Sequence, residues 1–108
     1  MAFKSKVTPD VGLVGSKTTV SEVVASGKTH TVIGMSLANK TTSGVIVGAE
    51  LVKSGGAVAT IVANGSVPVG TSMVAIGGDQ KLVLETGDSI RVWSSASSAV
   101  DVIISYLE

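Results

Sequence analysis

A chain of 108 residues has room for one domain and not two, and its lack of any cysteine excludes disulfides and thiolate metal ligands. Eight basic and eight acidic side chains cancel to a formal net charge of zero, so the cationic surplus that favours nucleic acid or an anionic membrane is missing. Hydrophobic residues make up 44% and charged residues only 15%, against roughly 25% charged in ordinary globular chains.

With so little charge, nothing keeps copies apart, and part of the apolar surface is expected to face another protein chain. The early Lys4 and Lys6 are not followed by the apolar stretch of roughly 7–15 residues that a signal peptide needs. No apolar run approaches the ~20 residues of a membrane-spanning helix. A soluble protein made in the cytoplasm is the expectation.

In chain order, residues 1–16 read as an extended N-terminal arm. Pro9, Gly12 and Gly15 interrupt it, while Val7, Val11, Leu13 and Val14 are apolar enough to dock. Residues 17–108 read as a β-sandwich. Val, Ile, Ala and Leu carry the apolar content, 13 glycines cut the chain into short pieces, and no 3.6-residue periodicity appears. The first strand fits 17–24, and the turn at 25–28 leads to a second at 30–39, with Thr31, Ile33, Met35 and Leu37 on one face.

After the polar turn 39–44, a third strand at 45–53 sets Val45, Val47, Ala49 and Leu51 against Glu50. A fourth spans 57–63, and Asn64-Gly65 reads as a turn because both residues tolerate positive φ. Short strands follow at 72–76 and 81–84. Thr86-Gly87-Asp88 turns into 89–94, and 99–107 ends the sheet. About eight strands with turn signals every 8–12 residues make an antiparallel sandwich or jelly roll.

Two strands point beyond their own core. In the last, Val100, Val102, Ile104 and Tyr106 share one face, yet Ile103 and Leu107 are apolar on the other, as in a strand covered on both sides. If Ile90 and Val92 face inward, Arg91 and Trp93 face out. Trp93 is then an interface anchor; a one-residue slip would instead make it a core residue.

Chemistry is hard to build from this sequence. His30 is the only histidine and reads as a half-exposed strand-end side chain; neither Gly-x-Ser-x-Gly nor Ser-x-x-Lys occurs. Glu85 and Asp88 around Gly87 could pair as carboxylates, but Asp after Gly commonly bonds its own turn, and Asp79 after Gly77-Gly78 reads likewise. Gly27-Lys28-Thr29 resembles a Walker fragment, but Glu22 stands where the first glycine belongs. No catalytic, cofactor-binding or metal residue is expected, and the chain does not read as an enzyme.

Across nearly its whole length the sequence resembles small virion structural proteins of tailed, especially marine, bacteriophages. The resemblance is carried by the opening Met1-Ala2-Phe3-Lys4-Ser5-Lys6-Val7, by 24–34 (VASGKTHTVIG), by Val67-Pro68-Val69-Gly70, by 76–88 (IGGDQKLVLETGD) and by the ending 102–108 (VIISYLE). One departure is Ala25 where the pattern leads one to expect proline, which leaves that turn less rigid.

The resemblance implies a β-sandwich virion component without enzymatic activity. A capsid decoration (cement) protein follows as the expectation, a homo-oligomer with a trimer favoured, clamping the major capsid protein through the arm and the apolar sheet. Phe3, Lys4, Val7, Val11, Leu13, Val14, Arg91, Trp93, Ile103, Tyr106 and Leu107 are its expected interface residues. Alternatives are a tail, neck or fibre module, or a carbohydrate- or receptor-binding sandwich limited to Phe3, Trp93 and Tyr106 as aromatics. Removing 1–16 is expected to leave a folded domain that no longer binds particles.

Overall fold

Strands with an apolar residue at every second position need a dry partner for one face, and two antiparallel sheets here provide it for each other. The structure is a computed structural model that describes residues 2–77 and 80–108. Its strands are β1 (Phe3–Thr8), β2 (Thr18–Thr19), β3 (His30–Asn39), β4 (Val45–Val52), β5 (Val58–Val67), β6 (Ser72–Ile76), β7 (Leu82–Leu84), β8 (Ser89–Ser94) and β9 (Val100–Leu107).

One sheet runs β1-β9-β3-β6, with β7 also pairing β3; the other runs β2-β8-β4-β5. If β6 and β7 share one position, this is the interleaved strand order of an eight-stranded jelly roll. The expected all-β sandwich is therefore the fold. Between the sheets lie Val32, Met35 and Leu37 of β3, Val47 and Ala49 of β4, Ile90 and Val92 of β8, and Val100, Val102 and Ile104 of β9, all buried.

The segment expected as an arm is largely built into this sandwich. Six residues of β1 pair with β9, from Phe3 opposite Leu107 to Thr8 opposite Val102. Beyond β1, Val11 N–H donates to Val100 O and Ser94 N–H to Gly12 O. Val11 is 0% exposed. Pro9 and Gly12 thus mark a bend between two docked pieces rather than a free tail.

The first expected strand shrinks to Thr18–Thr19. Past it, Ser21 Oγ accepts the Ile90 N–H at 2.8 Å, taking a donor that a backbone ladder would use, while Val20 and Val24 are still buried. Asn64-Gly65 is not a turn: β5 passes through it, and register shifts around Ala49 absorb the extra residues as bulges. A further shift between Val32 and Gly34 breaks the expected alternation, so Val32, not Ile33, joins Met35 and Leu37 inside.

Turn readings survive better. Lys28 N–H donates to Ala25 O, and Gly27 takes φ +76. The buried Asn39 closes the loop after β3, its Nδ2 donating to Ser43 O and Val67 O. Asp79 lies outside the described residues.

Candidate interaction surface

Register decides what the outer face of the first sheet presents, because residues directly opposite across an antiparallel pair share a face. Opposite Ile103 stand Val7 and Ser36, and opposite Ser36 stands Val74. Opposite Leu107 stand Phe3 and Thr31, and opposite Thr31 stands Val83. Between these rows run Ser5, Ser105 and Gly34. Phe3 is 78%, Val74 69% and Val7 62% exposed. Two apolar ridges therefore flank a small-residue trough across four strands, and none of these residues is charged.

A second apolar surface lies on the opposite face of the sandwich, at one end of β8. There Leu13, Val14, Ile46, Asn64 and Trp93 line a hollow of about 360 Å³. Leu13 is held beside Ser94 by a parallel bridge, and the residues after it form one 3-10 turn, Val14–Ser16. The Trp93 indole lies on the backbone of Gly48, with the Lys17 ammonium 4.6 Å from its ring centre, a cation–π arrangement.

Beside that hollow, Glu50 occupies the outer face of β4 yet is 4% exposed. Its carboxylate accepts from Lys17 Nζ at 2.8 Å and from Arg91. The bond from Lys17, with Arg91 in support, holds Glu50 below the usual carboxylate range although burial pushes the other way. The expectation of Arg91 outside and Ile90 and Val92 inside is met, but Arg91 is committed to Glu50.

Asp88 does bond its own turn. Its carboxylate accepts from Glu85 N–H at 2.9 Å, Ser54 N–H at 3.1 Å and Lys53 Nζ at 2.6 Å. These donors, Lys53 foremost, lower its pKa against the effect of burial. Among the described residues the Glu85 carboxylate reaches only Lys53, at 3.8 Å. The pair is a structural clasp between the β7–β8 turn and the end of β4.

His30 departs from expectation. It is 4% exposed, stacked on Tyr106 at 4.7 Å, with Nε2 3.1 Å from Glu108 Oε2. The other Glu108 oxygen accepts from Lys4 Nζ at 2.9 Å. The Lys4 bond, with His30 next, lowers the Glu108 carboxyl, and burial raises the Tyr106 hydroxyl. β1 and the residue after β9 cover what would otherwise be an exposed strand start. Among the described residues, no three His, Cys, Asp or Glu side chains group as a metal site, and no helix is long and apolar enough to cross a membrane.

The eleven expected interface residues thus separate. Phe3, Val7, Ile103 and Leu107 come together on the first sheet's outer face, and Leu13, Val14 and Trp93 around the second hollow. Lys4 and Arg91 sit in ion pairs. Val11 and Tyr106 are corrections: at 0% and 6% exposed they belong to the core and offer a partner nothing. Sequence reasoning missed Val74, Val83 and Ile46. Ile46 stands at an outward position between Val45 and Val47, whose shared face was recognised, so alternation alone could have found it; Val74 and Val83 lie on short strands whose faces the sequence left unassigned.

Compared with known proteins, the chain matches no family model, and no curated protein or solved structure matches it.

Proposed function

We propose that the protein is a non-enzymatic structural component of a bacteriophage virion, a decoration (cement) protein of the capsid surface. The observation that carries this reading is a two-sheet body with apolar surfaces on opposite faces. Exposed apolar patches of several hundred Å² mark interaction sites, and a body with two of them can bridge. Fold alone does not assign function. The resemblance of the turn and strand patterns to tailed-phage virion proteins supplies the setting.

The mechanism is additive association. Each copy that touches neighbouring major capsid protein subunits removes apolar surface from water at about 25 cal/mol per Å², less the cost of immobilising it. Many copies together oppose the internal pressure of packaged DNA. The polar clusters have structural work in this reading: Glu50 with Lys17 and Arg91 fixes the floor beside the Trp93 hollow, and Asp88 pins a turn.

Immunogold labelling of intact particles tests it. Label spread over the head supports decoration, label confined to the tail or neck moves the protein to a tail module, and particles without label refute the virion assignment.

A further inference from the structure

We infer that the outer edge of β5 takes an extended segment of a different protein chain as an added strand, and that an apolar side chain of that segment fills the opening between the sheets beside it. This rests on the edge and the cleft alone and stands whether or not the protein belongs to a virion.

β5 ends the β2-β8-β4-β5 sheet. Lys53 N–H donates to Ala57 O, with Leu51 opposite Ala59 and Glu50 opposite Thr60. Bonded and non-bonded pairs alternate along an antiparallel ladder, so Ala57 and Ala59 turn their backbone groups to β4 while Val58 and Thr60 turn theirs away. Among the described residues, nothing bonds the N–H or C=O of Val58 or Thr60. The bulges of β5 lie farther on, between Thr60 and Gly65, and leave this half of the edge regular.

The other edges are blunted. β1 carries Lys4 and Lys6, β2 has only two residues, and β6 and β7 divide one edge between two short strands. Charge, shortness and interruption each discourage strand addition. Residues 57–67 hold no charge and no proline.

The core is open at the same place. Leu51, Ile61 and Leu82 pack on it yet are only half-buried. With Ile76, Gln80 and Lys81 they line a cleft of about 320 Å³. Beside β8, at the far edge of the same sheet, Val20 and Val24 are fully buried and close the core.

Backbone groups that recur about every 6.8 Å along a strand are matched by another main chain, not by a small ligand. A strand laid on this edge turns every second side chain toward the cleft, whose aliphatic walls select an apolar one. A second copy's β5 fits poorly: paired edge to edge, it turns Ala59 toward the cleft, and alanine is too short to fill it. The added strand is therefore foreign, with a residue of leucine size at the inward position.

Fluorescence anisotropy of a labelled peptide of alternating threonine and leucine, flanked by glutamines and titrated with the full chain, tests the proposal. Saturable binding is expected, and none for the same peptide with proline in place of its central threonine. Thr60→Pro removes an outward N–H and leaves the β4 ladder intact; circular dichroism checks that it folds. It is expected to weaken binding at least about tenfold, while Ile46→Lys, on the neighbouring strand and away from this edge, leaves binding unchanged. Amide hydrogen exchange of the parent chain needs no variant: Val58 and Thr60 are expected to exchange fast when free and slowly with the peptide bound. No binding at millimolar concentration, equal binding of the proline peptide or of Thr60→Pro, or unslowed exchange at Val58 and Thr60 would overturn the proposal. So would a dimer of the parent chain in sedimentation equilibrium that Thr60→Pro dissociates, since the edge would then belong to a second copy.

Discussion

Trp93 rests so closely on Gly48 that a Cβ at position 48 would stand 2.1 Å from its Cζ2. The two residues are directly opposite on β8 and β4, so the glycine is the seat of the indole on the outer face. Gly48→Ala must therefore lift the ring and disturb the hollow beside it. Overpacking of this kind costs roughly 1–3 kcal/mol, to be read from urea midpoints. Trp93 is the only tryptophan, so its fluorescence is expected to shift to the red in the folded variant.

Neighbouring residues on β9 separate core from surface. Ile104 is 1% exposed and Ile103 49%. Ile104→Ala is expected to cost about 2–4 kcal/mol, and Ile103→Ala within about 0.5 kcal/mol of zero at concentrations where the chain is monomeric. Equal losses would mean that the register of β9 is wrong by one residue.

Asp88 holds two backbone N–H groups and the Lys53 ammonium while 1% exposed. Asp88→Ala leaves those donors facing a dry site and is expected to cost about 2–3 kcal/mol. Glu85→Ala, which removes only a long contact from an exposed side chain, is expected to leave stability unchanged. Thermal melts of the two variants side by side make the comparison.

The carboxyls of Glu50, Asp88, Asp101 and Glu108 are all lowered, each chiefly by a bonded lysine. A group whose folded pKa lies below its unfolded one stabilises the fold above the unfolded value, and loses that contribution as pH falls through the folded one. Stability is thus expected to hold from neutral pH down to about 5 and to fall below about pH 4. Glu50→Gln lacks one of these groups and is expected to show a shallower acid slope in denaturation midpoints.

β1 and Val11 are structural in the isolated chain, so deleting 1–16 should do more than abolish binding. It strips the β9 edge of six partners and removes a fully buried valine. A large drop in melting temperature is expected; an unchanged melt would mean that the segment is an arm after all.

The fold was legible because β-branched residues alternate across well-marked turns, and β3, β6 and β8 fall where alternation puts them. What alternation could not show were the places where one residue is added or a side chain replaces a ladder bond. The bulge at Val32–Gly34 moved Ile33 off the core face. Ser21 took the Ile90 donor and ended β2 early. His30 looked peripheral because its partners, Tyr106 and Glu108, are 76 and 78 residues away in the chain. The candidate surface was half legible for the same reason: Ile103 and Leu107 stand out on a strand apolar on both faces, while Val74 and Val83 acquire meaning only once β6 and β7 lie beside β3.

The most direct test of the account is carbene footprinting of the dilute chain and of purified particles. The apolar side chains of both faces, Phe3, Val7, Val74 and Ile103 on one and Leu13, Val14 and Ile46 on the other, are expected to label strongly when free and to be protected on the particle. Equal labelling in both states would contradict the claim that other protein chains cover these surfaces.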